Sequence, residues 1–380
     1  MAERLDAASW RPIHTRIACA LGLGWMLDAF EVQIIGSVIP GIQKEFSLGA
    51  GQAVVINVVW YVGIAFGALA FGYLADRIGR RRLFVATLIL YSLAALASSA
   101  APNYGLFLLF RLLTGLGVGG EYSAVTSAIS EFMPARNRGR SNGLVMTFWA
   151  VGGILASVVS IVVITALGLG WRYTLLFGVV SAAYGVLARR IVPESPRWLA
   201  SRGRLDEADQ VVTEITGVAS KTGYYLAFAP AERGKVRELW SAHRPRLFLG
   251  MALDFSEAAG YYGLFTAMSI VVFSSATGVV AVSDAALPVY FLIANVGALL
   301  GGVLVSFVLD RIGRRPTVTF SYVAAAASML VVAGAAATGA APWSWRHSRW
   351  LRSSRLARGS LPIRRSPSCS QPTCGPPGSV

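Results

Sequence analysis

The sequence predicts an all-α, polytopic membrane protein. Hydrophobic residues make up 55% of the 380 and charged residues only 14%, mean hydropathy is +0.58, and the apolar residues gather in runs separated by basic connections. A soluble domain of this length carries far more charge on its surface, so most of the solvent for this chain is lipid. The formal net charge of +15 does not point to nucleic acid. The cations sit between apolar runs and do not share one face. Cysteine is scarce, with Cys19 in the first run and Cys369 and Cys374 near the end, which gives no disulfide framework. The first run starts near Arg16, is of spanning length and contains acids, so it reads as a retained helix and not as a cleaved signal.

About 20 apolar residues cross a bilayer as one helix. On that rule spans are expected near 17–40, 53–75, 83–101, 104–132, 142–166, 171–191, 247–273, 287–309 and 317–341. Arg77, Arg80, Arg81 and Arg82 follow the second span, Arg136, Arg138 and Arg140 the fourth, and Arg311, Arg314 and Arg315 the eighth. By the positive-inside rule these loops and the N-terminus are cytoplasmic, and the protein sits in the cell (inner) membrane. The polar stretch 192–246 joins spans six and seven on the same side. It separates a six-helix half, 1–191, from a second part, 247–341, with three helices.

The two parts share a repeat. Asp76-Arg77-Ile78-Gly79-Arg80-Arg81 after span two returns as Asp310-Arg311-Ile312-Gly313-Arg314-Arg315 after span eight. An internal duplication with matched topology is the plan of parallel-repeat transporters, whose ligands bind at the midplane between halves. The Gly suits a tight turn, the Asp can hold a neighbouring helix end, and the arginines anchor to headgroups. Arginines that merely obey the positive-inside rule would not need the Asp and Gly at matched positions.

With the tract 131–140, which begins at Glu131 and contains Arg138, and Pro193-Glu194-Ser195-Pro196-Arg197-Trp198-Leu199, these loops resemble the cytoplasmic signatures of the major facilitator superfamily. The resemblance implies that fold with about nine of its twelve transmembrane helices present. It also implies a conformational latch built from Asp76, Arg77, Gly79, Arg80, Glu131, Arg138, Asp310, Arg311 and Arg314, which would bridge the halves in the outward-open state. The second copy has Ser306 where the first has Gly72, so its half of the latch is expected to be weaker.

Charges inside the spans mark the candidate site. Asp28 and Glu31 lie one turn apart in the first span, and Arg111 and Glu121 lie in the fourth. Each costs on the order of 3 kcal/mol or more at the bilayer centre unless it is paired or protonated. An acid that alternates between burial and a nearby cation can carry a proton across, and Arg111 suits either Asp28 or a substrate carboxylate. Tyr261 and Tyr262 in span seven complete the set. Trp25, Trp60, Tyr61, Trp149 and Tyr262 could stack on a ligand.

Within the superfamily the first span, the Gly-Gly-Glu of span four and the tyrosine pair resemble proton-coupled symporters of aromatic and other small organic acids. Sugar porters share the tyrosines, but this chain has Leu253-Asp254-Phe255-Ser256-Glu257 where they carry glutamines and an asparagine. The expected partners are a small organic or aromatic carboxylate, a proton and the lipid bilayer, with a monomeric protein. A sugar or polyol symporter is the alternative, and a non-transporting membrane sensor is the alternative of another class. No cofactor is expected. A membrane-embedded enzyme is disfavoured, because His14, His243 and His347 all lie outside the expected spans.

From Pro342 the composition changes: acids disappear, and Arg346, Arg349, Arg352, Arg355, Arg358, Arg364 and Arg365 alternate with Ser, Pro, Gly and Cys. An odd number of spans would also leave this basic segment outside. The expectation is a frameshifted tail, 342–380, on a truncated and inactive transporter. Translating the coding DNA beyond codon 341 in the other two frames checks it. One frame should encode further apolar spans, and none in either overturns the expectation.

Overall fold

The computed structural model describes residues 2–218, 244–267 and 286–337. Every regular element in them is helical: α1 (Ala2–Asp6), α2 (Pro12–Phe46), α3 (Ala50–Ile78), α4 (Arg80–Ser99), α5 (Tyr104–Phe132), α6 (Arg138–Ser160), α7 (Trp171–Leu175), α8 (Gly178–Ile191), α9 (Pro196–Ser201), α10 (Leu205–Thr216), α11 (Arg244–Ala267), α12 (Leu287–Ile312) and α13 (Arg314–Ala337). A short 3-10 turn (Ala135–Asn137) precedes α6, and a π-helical turn (Ile161–Ala166) extends it. By compactness the chain divides into Met1–Val323 and Ala324–Val380, and the described part of the second unit is the end of α13.

Described helices therefore fall within each of the nine expected stretches, with corrections at the ends. The first runs past Pro40 to Phe46 and stops at Ser47, whose φ of 54° closes a left-handed cap. The sixth arrives as α7 and α8, because its first turn is pinned. Trp171 Nε1 donates to Glu45 at 2.7 Å, and Arg172 donates to the Ser99 and Ala101 carbonyls at 2.6 and 2.8 Å. Positions 268–273 and 338–341, the ends of the seventh and ninth expected spans, lie outside the described residues, as do 219–243 and 342–380. Five described segments are long and apolar enough to cross a membrane by length and composition: Pro12–Phe46, Ala50–Ala75, Arg80–Ser99, Ala135–Ala166 and Leu287–Val308.

The packing follows from where small and large side chains fall. On α3, Val58, Val62, Phe66, Leu69 and Tyr73 recur every three or four residues and all are exposed, which makes one outward stripe suited to lipid. The opposite face carries Gly63 and Gly67. A methyl group there would come within 2.4 Å of the Leu112 carbonyl oxygen and 2.1 Å of the Leu116 carbonyl oxygen on α5. Gly115 and Gly119 on α5 answer them, against the Trp60 and Ile64 carbonyls at 2.3 Å each. Two small-xxx-small faces thus let α3 and α5 touch backbone to backbone, the packing that lipid favours in place of a hydrophobic drive. α2 packs on α6, α6 on α12, and α4 on both α5 and α8. On α12 the exposed Val289, Ile293, Val296, Leu300, Leu304 and Phe307 form a second outward stripe.

The repeated loops fold alike. Gly79 separates α3 from α4 and Gly313 separates α12 from α13, and both adopt a φ of +97°. Leu83 N donates to the Gly79 carbonyl and Thr317 N to the Gly313 carbonyl, the same first bond of the following helix in each copy. A side chain at that φ costs of order 1–3 kcal/mol. At Gly79 an added Cβ would also meet Glu194 Oε2 at 2.7 Å, whereas at Gly313 the nearest atom is 4.0 Å away. Gly79→Ala is therefore expected to lower the melting temperature in detergent more than Gly313→Ala. Equal losses would show that the Glu194 contact adds nothing.

Candidate functional site

Glu31 on α2 and Arg111 on α5 form a buried ion pair at 2.9 Å, each about 1% exposed. The Arg111 guanidinium also lies 5.8 Å from the Trp60 ring centroid. Its Nε has no acceptor among the described residues, so the arginine keeps a donor in reserve.

Asp28 does not meet Arg111. It faces Glu121, and the Tyr91 hydroxyl of α4 lies beside both carboxyls. Asp28, Glu121 and Tyr91 are fully buried. The pairs form in reverse order along the two helices: Glu31, later on α2, meets Arg111, earlier on α5, while Asp28 meets the later Glu121. Gly24, one turn before Asp28, makes the room, since a Cβ there would sit 2.6 Å from Glu121 Oε1.

Aromatic side chains flank these charges. Trp149 on α6 lies 4.9 Å from Trp25 by ring centroids, and its Nε1 donates to the Tyr261 hydroxyl at 2.9 Å. Tyr262 lies 5.4 Å from Tyr61 and 6.1 Å from Trp60. One cluster therefore joins α2, α3 and α6 of the first half to α11, which opens the second, and through Trp60 it reaches Arg111.

Sequence reasoning missed three members. Tyr91 gave no signal, being one tyrosine in an apolar run. Gln33 and Asn295 are buried, on α2 and α12, and a Cβ at Gly153 would meet their side-chain oxygens at 2.4 and 2.3 Å. Both oxygens lack a donor among the described residues. Their signal was available, because an amide inside an apolar span is costly enough to need a reason.

The cytoplasmic set divides. Arg80 pairs with Glu131, whose other oxygen accepts from Ser195 Oγ. Glu194 Oε1 accepts from the backbone N–H groups of Arg80, Arg81 and Ser195 at 3.0, 3.2 and 3.0 Å, so a carboxylate caps the amino end of α4. Arg138 donates to Asp6 at 2.6 Å and to the Met133 carbonyl at 3.1 Å, and the Arg77 guanidinium stacks on Tyr73 at 4.5 Å. Arg311 is exposed, and the side chains of Asp76, Asp310 and Arg314 lie outside the described residues. A bridge between the halves in the outward-open state stays an expectation for Arg80 and Glu131. Their described contacts tie α4 and α5 to the start of the 192–246 segment. No group of three or more His, Cys, Asp or Glu that could hold a metal occurs among the described residues.

A helical bundle with paired charges inside it and matched glycine turns has the fold of solved major facilitator structures. The sequence profile described as sugar (and other) transporter matches residues 26–348, and the chain belongs to that family. It is 33% identical over 322 residues to the niacin transporter NiaP of Acinetobacter baylyi, covering 83% of this chain and 72% of that protein. It is also 33% identical over 206 residues to synaptic vesicle glycoprotein 2A of Rattus norvegicus, 51% of this chain and 28% of the glycoprotein. The fold is similar to the partially occluded, inward-open xylose transporter XylE of E. coli, with a TM-score of 0.64 and 21% identity over 80% of this chain and 74% of that one.

Removing one member of a buried ion pair strands the other and costs about 3–5 kcal/mol, whereas removing both can be nearly neutral. Arg111→Met is therefore expected to destabilise the protein strongly, and Glu31→Gln with Arg111→Met to recover most of the loss. Additive losses in thermal unfolding would show that the two residues do not act as a pair.

Proposed function

We propose that the chain works by secondary active, proton-coupled transport of a small solute, recognised at Arg111 and the aromatic cluster around it. The observation that carries this reading is the Nε donor of Arg111, which has no acceptor among the described residues. It is buried beside Glu31 at a place where α11 of the second half contributes Tyr261 and Tyr262 to the same cluster. A buried cation with an incomplete shell, next to aromatic faces, suits a planar anion, which it can grip with two parallel hydrogen bonds. Alternating exposure of such a site to the two sides is the working principle of parallel-repeat transporters.

Two substrate classes have support. The family description and the xylose symporter's name favour a sugar or polyol, and together they lend that alternative broader support than the organic acid expected from the sequence. Hydroxyl donors would find the free oxygens of Gln33 and Asn295 on either side of Gly153. The niacin transporter's name favours an aromatic carboxylate, as does Arg111.

Uptake of labelled nicotinate and labelled xylose into proteoliposomes under an imposed pH gradient separates these readings. For the acid, Arg111→Lys should weaken nicotinate uptake about tenfold or more, because a point charge does not replace the planar fork. For the sugar, xylose should accumulate, Arg111→Lys should matter less, and Gln33→Leu or Asn295→Leu should abolish uptake. Accumulation of neither solute overturns transport by this chain, in agreement with the inactivity expected from the basic segment. Ligand binding without flux would point to the sensor.

A further inference from the structure

Asp28 and Glu121 stand apart from the Glu31–Arg111 pair. Four carboxylate oxygens face one another in the interior of the first half, fully buried, and none finds a donor among the described residues. The groups around them are the Tyr91 hydroxyl from α4, with Ser181 of α8 beside it, Tyr184 of α8 beside Glu121, and Glu31 further along α2. Arg111, the nearest cation on α5, is engaged with Glu31. Cys19 lies near Tyr184, whose hydroxyl donates to the Ala20 carbonyl. The site is built to hold the carboxyls together. Gly24 alone on that turn of α2 leaves space for Glu121, and Phe84 closes the gap, 2.9 Å from where a Cβ would stand.

Two ionised carboxylates in contact, buried and without a cation, repel each other and have at most the Tyr91 hydroxyl to share as a donor. One added proton changes both terms. It turns one oxygen into a donor and makes a short, charge-assisted hydrogen bond to the other carboxyl. We propose that Asp28 and Glu121 hold one proton between them, and that this pair, and not Glu31 with Arg111, is where the first half binds its proton. The O–H sits on one carboxyl and donates to the carboxylate of the other. Release gives a proton to water and leaves two facing carboxylates, binding reverses the step, and no electrons move. Tyr91 donates to whichever oxygen carries the charge. Release places like charges between α2 and α5 at the level of Gly24, which loosens their contact. The inference deepens the transport reading by assigning the proton and the solute to separate groups, and its test does not depend on transport.

Infrared difference spectroscopy of the purified chain across a pH titration reads the carbonyl stretch of a protonated carboxyl. The wild type should show such a band, Asp28→Asn with Glu121→Gln should remove it, and Glu31→Gln should leave it in place. Each single variant, Asp28→Asn or Glu121→Gln, should move the band to higher frequency, because an amide is a weaker acceptor than a carboxylate. Gly24→Ala keeps both carboxyls and pushes Glu121 aside, so it should move the band as well and serves if the double variant does not fold. A band that survives the double variant, or that fails to move in either single variant, overturns the proposal. Loss of the band on adding sodium at constant pH also overturns it and makes the pair a sodium site. If the band behaves as expected while neither nicotinate nor xylose is carried, the proton site stands and the transport reading falls.

Discussion

Lipid offers neither counter-charge nor hydrogen-bond partner, so each polar group that enters the bundle must bring its own, and most of the architecture follows from that requirement. The backbone meets it by being helical in every regular element of the described residues. The serines and threonines meet it by donating back to carbonyls three or four residues earlier, as Thr87, Ser92, Ser98 and Thr114 do. The charged side chains meet it only by finding one another. Glu31 can sit inside α2 because α5 delivers Arg111 to within 2.9 Å. That delivery in turn needs α5 held in register by α3, which the facing glycines at 63, 67, 115 and 119 achieve through backbone contact. A bulky residue on that face would move the arginine as well as the helix.

The same logic governs the cytoplasmic loop after α3. A turn between two long helices with no spare residue forces Gly79 to a φ that other residues rarely adopt, and it leaves the first N–H groups of α4 without intrahelical acceptors. Glu194, far away in sequence, fills that need, and Ser195 beside it ties Glu131 to the same place. The resemblance to a transporter signature is therefore not needed to explain these residues. An end cap, an ion pair and a glycine turn suffice to fix them. The second copy repeats the glycine geometry at Gly313, which supports the duplication at the level of backbone conformation as well as sequence.

Much of the fold was legible because hydropathy reports directly on lipid: described helices fall in the expected apolar runs, five of them long and apolar enough to cross a membrane, and the Gly79 and Gly313 turns were legible from the repeat. What misled was register. Asp28 and Glu31 are close enough in sequence to look interchangeable, and only the opposed course of α2 and α5 sends one to Arg111 and the other to Glu121. The break between α7 and α8 was equally hidden, because it arises from Trp171 and Arg172 gripping Glu45 and the end of α4, contacts with partners more than 70 residues away. Tyr91 escaped for the opposite reason: tyrosine is ordinary in a span, and only its neighbours make it part of a site.

The aromatic cluster joins the two halves beside these charges. Trp25, Trp60, Tyr61 and Trp149 belong to the first half, and Tyr261 and Tyr262 to the second, so the largest polar-tipped side chains near the charges meet across the boundary between repeats. Aromatic faces slide and tilt against one another at little cost, about 0.5–1.5 kcal/mol per pair beyond burial. A buried ion pair gives no such latitude, since parting it exposes two charges to a medium that cannot solvate them. The Glu31–Arg111 pair lies within one half and the aromatics meet between the halves, so on the transport reading the halves can move without parting that pair. On the proposed reading, a solute that binds Arg111 from that boundary meets aromatic side chains of both halves.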